Sequence, residues 1–277
     1  MGDVTSAPPS PAAPATLSLV IPAYNEEARL PALLETLDKT ARAAAERAGL
    51  ELIETLIVDD GSTDRTREML AEVEPGAALV TPVLEFAQNR GKGAAFAAGV
   101  ARARGEYVLL ADVDLSTPLE ELPKLTAAIR EGADIAIGSR AVAGAVVERG
   151  PRHRKVLGNT FNATVRLLTG LRLRDTQNGF KLFPAAEAKR LLAKQTCPGF
   201  AFDVELLMRA DQADLKIAEV PILYMHDPRS SVRVAAASVE MLKGVGGLAY
   251  RLRAGRFPAR TPSSRRPLTE VPADDSD

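Results

Sequence analysis

The chain has 277 residues, 46% hydrophobic and 26% charged, with a formal net charge of -1. That is the make-up of a globular protein with a full core, and it excludes the broad positive footprint of a nucleic-acid binder. One cysteine (Cys197) and two histidines (His153 and His226) exclude a disulfide framework and a cysteine-based structural zinc site. They also supply a multi-histidine metal centre or a Ser-His-Asp triad poorly, so chemistry falls to carboxylates, Arg, Lys and backbone groups.

Residues 1–15 are rich in Pro, Ala and Ser and lack the basic start and apolar core of a secretory signal. They read as a disordered leader, and the Pro- and charge-rich tail 257–277 reads likewise. No apolar run approaches the roughly 18 residues that cross a bilayer. The folded part is expected over 16–256, in the cytosol. TLSLVIPAY (16–24) is a short apolar run bounded by turn residues, which predicts a buried strand. Asn25 is placed to cap the amphipathic helix that follows, with Leu30, Leu33, Leu34 and Leu37 on one face. ELIETLIVDDGS (51–62) gives a second strand ending at Asp59 and Asp60, and Thr63 or Asp64 caps the helix DRTREMLAEV. TPVLEFA is a third strand, NRGKGAAFAAGVARARG a small-residue helix closed by Gly105, and EYVLLADVD a fourth strand. PLEELPKLTAAIREG is the next helix and DIAIGSR (134–140) the fifth strand. Past Gly150 come a helix with Val156, Phe161, Val165 and Leu168 on one face, a short strand GFKLF, the helices PAAEAKRLLAK and AFDVELLMRADQAD, and a last strand LKIAEVPILYM.

This alternation predicts an α/β fold, a mostly parallel central sheet covered by helices on both faces. With no internal repeat, a single domain is expected: a nucleotide-binding-like half over 16–140 and an acceptor-shaping half over 141–256. Parallel strands carry their ligand site at their carboxyl ends. The polar residues stand there: Tyr24 to Glu26, Asp59 and Asp60, Asp112 and Asp114, Ser139 and Arg140.

Four constellations carry the chemistry. Asp112 and Asp114 end a long apolar strand, and two convergent carboxylates suit Mg2+ or Mn2+, which take hard oxygen ligands and complete their shell with water and phosphate. Asp59 and Asp60 exceed what a turn and a helix cap require, so one of them is a candidate to accept hydrogen bonds from a ribose or base. NRGKGAA lacks the spacing of a Walker motif, yet Lys92 at a helix start could meet a phosphate. Arg140, Arg149, Arg152, His153, Arg154 and Lys155 form the one dense positive cluster. A solvated basic loop is the ordinary account of such a run; beside a strand-end Arg it fits anion binding. Asp175 in RDTQNGF is either a general base, a partner for Arg174 or a turn cap. Asp203 reads as a cap, Glu205 stays open, and His226 reads as a surface turn residue.

VIPAYNEE, VDDGSTD, NRGKG, ADVDLSTP, IGSR and RDTQNGFKLF, in this order, resemble the motifs of family 2 glycosyltransferases of the GT-A fold. The wording DLSTP and RDTQNGFK is similar to the subgroup that makes polyprenyl (dolichyl) phosphate sugars, and within it to the β-glucosyltransferases over the mannosyl type. The resemblance spans about 17–250. It implies that Pro22, Tyr24, Glu26 and Asp60 hold the nucleoside, and that Asp112 and Asp114 serve nucleotide and metal with Ser116 near the ion. It further implies that Arg140 contacts phosphate, joined by Arg154 and Lys155 from a mobile basic loop. Two departures, DVD for DAD and RDTQNGF for RDTQCGF, lose no charged group. Many relatives carry a membrane anchor; no such segment is found here.

The expectation is a metal-dependent, inverting transfer of a hexose, glucose from UDP-glucose, to a polyprenyl phosphate. Asp114, Arg140 and Arg154 would do the work, Asp175 remaining a candidate base. Lys92 completes the nucleotide-sugar set. The acceptor places the protein peripherally at the inner face of the cell membrane, and the mixed apolar and basic segment 230–256 either lies on that membrane or packs on the domain. Two other enzymes share these motifs: a family 2 transferase with a hydroxyl acceptor, which needs a base, and a mannosyltransferase using GDP-mannose. A catalytically dead nucleotide-sugar-binding module is disfavoured by the intact acids and Arg140. Oligomeric state is left open.

Overall fold

Strand β1 (Ala15–Ala23) alternates its burial between two apolar layers: Leu17, Leu19 and Ile21 go to one, Val20 to the other. The same alternation in β2 (Leu50–Asp59) and β4 (Tyr107–Leu110) makes both faces of the sheet apolar, the pattern of a sheet buried on both sides. The computed structural model describes residues 13–74, 79–83, 86–148, 152–225, 234–255 and 257, side chains excepted over 152–159 and 234–239. Its central sheet has seven strands in the order β3-β2-β1-β4-β7-β5-β8. The others are β3 (Val80–Val83), β5 (Ile135–Ser139), β7 (Lys181–Pro184) and β8 (Ile217–Pro221). All neighbours pair in parallel except β7, which runs antiparallel to both β4 and β5. The mostly parallel α/β sheet expected from the sequence is present.

One face is covered by α1 (Leu30–Thr36), continued through a π-helical turn (Leu37–Ala41) into α2 (Arg42–Arg47), and by α5 (Leu122–Arg130). The other carries α4 (Lys92–Arg102), α7 (Ala185–Leu192) and α8 (Phe202–Gln212). Helix α3 (Thr66–Ala71) follows β2. Helix α6 (Arg152–Thr169) and the C-terminal α9 (Val234–Arg253) pack on each other, and α9 buries Val245, Leu248 and Ala249. The segment 230–256 therefore packs on the domain where it is described.

Four expectations change. Asn25 does not cap α1; it sits in the left-handed region (φ 55°), and its Oδ1 instead accepts from the Thr63 and Asp64 N–H groups. An Asx side chain can serve either purpose, and here the longer-range one wins. Gly105 does not close α4, whose C-cap is Ala103. The last strand breaks at Ile222 into β8 and β9 (Leu223–Met225). Strand β9 pairs in parallel with β6 (Val146–Glu148), a strand the sequence pattern did not suggest, as a separate two-stranded ribbon. Finally, Asp203 lies within the first turn of α8 as the partner of Lys181, not as a cap. His226, Arg149 and the side chains of Arg152, His153, Arg154 and Lys155 lie outside the described residues.

Candidate active site

A cavity of about 790 Å³ opens at the carboxyl ends of β1, β2, β4 and β5. Pro22, Tyr24, Glu26, Asp60, Lys92, Asp112, Asp114 and Arg140 all line it, so the structure gathers these eight predicted residues at one place, while Asp175 and Ser116 do not line it.

On the β1–β2 side, the loops after the two strands are laced together. The Asn25 N–H donates to Ser62 Oγ at 3.0 Å, and the Glu26 N–H to Thr66 Oγ1 at 2.7 Å. Tyr24 is 40% exposed with its ring free to meet a flat ligand. Glu26 is held by both arms of Arg29 at 2.5 Å, although burial still raises its carboxyl above the usual range. Its charge is thus spent within the protein. Asp60 accepts from the Arg90 and Gly91 N–H groups at 2.8 Å each, which fixes the loop leading into α4. Burial pushes its carboxyl up as well. Asp59 is fully buried and accepts from the Ser62 N–H, so of the two adjacent acids only Asp60 reaches the cavity. Gly91 has φ 101°, and a Cβ there would stand 2.6 Å from the Pro198 carbonyl oxygen. That position of the loop before Lys92 requires glycine on both counts.

At the end of β4, Asp112 Oδ1 meets Lys92 Nζ at 2.6 Å. Burial alone would raise the Asp112 carboxyl, but Lys92, Lys181 and Arg140 hold it below the usual range. Asp114 goes the other way, raised by burial and by the negative charge of Asp112. Its Oδ1 accepts from the Ser116 N–H at 2.9 Å. A half-buried carboxylate pushed upward by a second one is a place for a cation. Ser116 Oγ is buried without a hydrogen-bond partner, beside a recess of about 10 Å³ that Asp112, Asn178 and Tyr224 also line. No cluster of three His, Cys, Asp or Glu side chains suited to a metal exists among the described residues. The donor set therefore fits a hard cation that takes one or two carboxylates here and its remaining oxygens from a phosphorylated ligand.

From β5, Arg140 forms a two-armed pair with Asp175, Nε to Oδ2 at 2.7 Å and NH2 to Oδ1 at 2.9 Å. Its backbone N–H adds a third bond to Oδ2 at 3.0 Å. Although burial opposes ionisation, Arg140 and two backbone donors hold the Asp175 carboxyl down at about 2. A carboxylate so placed orients Arg140 and is a weaker base than an ordinary Asp. Arg140 also lies 5.0 Å from the centre of the Tyr224 ring, a cation–π contact. Glu219 on β8 secures the turn by accepting from the Arg174 and Asp175 N–H groups and from Ser139 Oγ.

Asp203, read from the sequence as a cap, and Glu205, left open, both have structural partners. Asp203 meets Lys181 at 2.5 Å in the fully buried layer beneath the cavity, where Lys181 also donates to the Asn178 carbonyl oxygen. Glu205 accepts from the Thr196 and Cys197 N–H groups and from Arg209, fixing the loop whose Gly199 and Phe200 form a cavity wall. Sequence reasoning missed Arg29, Gln177, Asn178, Phe200, Tyr224 and Glu240, which also line the cavity. Gln177 and Asn178 were readable within RDTQNGF, and Arg29 from its i,i+3 spacing to Glu26. Nothing in the sequence marked Glu240, which reaches the cavity from α9.

Paired acids at strand ends, a helix-start Lys and a clamped Arg on one cavity define an enzyme that handles phosphorylated ligands. Comparison with known proteins gives this class its family. Residues 18–192 match the family described as Glycosyl transferase family 2. The dolichyl-phosphate beta-glucosyltransferase of Dictyostelium discoideum is 31% identical over 85% of this chain and 74% of its own. Proteins of that name from Drosophila melanogaster and Homo sapiens are 37% and 34% identical, each over 74% of this chain and 66% of their own. Among solved structures, glucosyl-3-phosphoglycerate synthase from Mycobacterium tuberculosis in complex with UDP has a TM-score of 0.59 at 22% identity, over 85% of this chain and 80% of its own. Mannosyl-3-phosphoglycerate synthase from Rubrobacter xylanophilus has a TM-score of 0.59 at 19% identity, over 89% and 77%. The chain belongs to glycosyltransferase family 2. It is a glycosyltransferase with the GT-A fold.

Proposed function

We propose that this enzyme transfers glucose from UDP-glucose to the phosphate of a polyprenyl lipid, inverting the anomeric carbon. The observation that carries the reading is the Arg140–Asp175 clamp. It presents a fixed guanidinium for a phosphate and ties up the Asp175 carboxylate beside it, which is thereby weakened as a base. A phosphate monoester is already anionic near neutral pH, so its oxygen attacks the anomeric carbon without proton removal, and UDP leaves with the bond electrons. A hydroxyl acceptor would need a general base. The names of the relatives support a glucosyl transfer to a dolichyl-type phosphate.

Asp114, with Asp112 and Ser116, would hold Mg2+ or Mn2+, which when bound neutralises the diphosphate. Tyr24 and Pro22 receive the nucleoside, Asp60 fixes the loop beneath it, and Lys92 stands at the N-terminus of α4, where a diphosphate is favoured. Arg140 orients the acceptor phosphate, with Arg154 and Lys155 as further contacts by their family positions. No helix among the described residues is long and apolar enough to cross a membrane; in this reading the enzyme meets its lipid peripherally. The test is a panel of UDP- and GDP-sugars with Mn2+ and a short polyprenyl phosphate in detergent, read by mass spectrometry. The expected product is the hexosyl lipid from UDP-glucose. Transfer only to a water-soluble acceptor would overturn the reading.

A further inference from the structure

We infer that the β6–β9 ribbon is the element that enters a lipid surface, setting the cavity mouth at headgroup level. Three observations carry this. First, the ribbon carries three exposed apolar side chains: Val147, opposite Tyr224 in the register, is 44% exposed, and Val146 and Met225, on the other face with the exposed Glu148, are 53% and 42% exposed. Leu223 and Tyr224 are half-buried, Tyr224 against the core, so the ribbon is anchored while Val146, Val147 and Met225 stay exposed, which suits contact with an apolar medium. Second, the ribbon is built into the site. The Met225 N–H donates to the Ser116 carbonyl oxygen at 2.7 Å, and Tyr224 both lines the cavity and stacks on Arg140. A phosphate held by Arg140 therefore has its apolar tail beside Tyr224, with Val147 next on the same face. Third, the sequence following β6 carries Arg149, Arg152, Arg154 and Lys155 against Glu148 at the strand's end, and that following β9 carries Asp227 and Arg229, a net positive charge that complements an anionic lipid surface.

Other exposed large apolar residues, Leu167, Leu242 and Tyr250, lie on α6 and α9. Helix α9 is committed to the core through Val245 and Leu248. The inference rests on the polyprenyl-phosphate reading for its purpose, but its measurement does not.

The chain contains no tryptophan, so Val147→Trp and Leu242→Trp each give a single-Trp reporter. Full-length protein is mixed with phosphatidylglycerol–phosphatidylcholine vesicles carrying brominated acyl chains. Expected are a blue shift and bromine quenching at position 147 and neither at 242. The triple variant Val146→Ser, Val147→Ser, Met225→Ser should lose vesicle partitioning by at least about tenfold while keeping the cooperative thermal transition of the wild type by circular dichroism. Absence of vesicle binding by the wild type, quenching confined to position 242, or unchanged partitioning of the triple variant would each overturn the inference. So would a concentration-dependent dimer, seen in sedimentation velocity, that the triple substitution abolishes. If vesicle insertion is observed but no sugar reaches a prenyl phosphate in detergent, the functional reading fails and the ribbon assignment stands.

Discussion

At Arg140 the guanidinium is fixed by two bonds to one carboxylate and the backbone N–H adds a third, so Asp175 acts through Arg140. Asp175→Asn keeps the size of the side chain and removes the charge. The apparent KM for the lipid phosphate should rise at least about tenfold, with the KM for the sugar nucleotide little changed, since a bidentate charge-assisted pair is lost. Equal loss for both substrates would mean general misfolding of the site. Acid unfolding provides a second readout. The folded carboxyl at about 2 lies below its ordinary 3.8, so its stabilisation is complete above about pH 4 and is lost as pH falls through 2. The shift corresponds to about 2 kcal/mol. Stability of the wild type should fall through that window by about this amount more than that of the Asn variant, followed by urea denaturation at stepped pH.

At the scale of elements, the loop between α7 and α8 shows how a wall of the cavity is held. Glu205, in the first turn of α8, gathers the Thr196 and Cys197 N–H groups and Arg209. Burial and that carboxylate together push the Cys197 thiol up to about 11. At pH 8 such a thiol is on the order of a hundredfold less ionised than one at its ordinary value. Alkylation of Cys197 by iodoacetamide should be slower by about that factor in native protein than in urea, and Glu205→Ala should restore much of the rate. Equal rates in native and unfolded chain would show that the loop is open in solution. Elements with a continuous apolar run, such as β1, β2 and β4, were legible because two-sided burial leaves no other place for them. Strand β6 was not legible, because Val146, Val147 and Glu148 are all exposed and neither alternate nor form a buried run. The direction of β7 was hidden for another reason: periodicity carries no sign. The Lys set between Phe180 and Leu182 was a visible anomaly, and its buried partner Asp203 resolves it.

For the whole molecule, the sequence showed the right cavity because acids and Arg at strand ends are expensive unless a ligand or a partner meets them. It misassigned Asp203 as a cap because pairing between distant segments, as with Lys181, depends on distances that spacing along the chain does not reveal. The expected halves, 16–140 and 141–256, share one sheet. Strand β7 stands between β4 and β5 and pairs with both, so the first half by itself would leave those strands unjoined. A fragment ending at Arg140 should show no cooperative thermal transition by circular dichroism, and should gain one when mixed with a fragment starting at Ala141. A cooperative melt of the first fragment alone would contradict this.

That insertion also limits how such enzymes can be recombined. Gly179 approaches the Asp112 carboxylate so closely that a Cβ there would stand 2.3 Å from Oδ2, and Lys181 lowers the same carboxyl. Donor-side acidity is thus set by residues from beyond the apparent seam at Arg140. A chimera that joins the first half of one relative to the second half of another exchanges the supports of Asp112 along with the acceptor wall. Donor preference and acceptor preference are therefore not independent modules in this chain, and swaps that respect the sheet must carry β7 with the strands on either side of it.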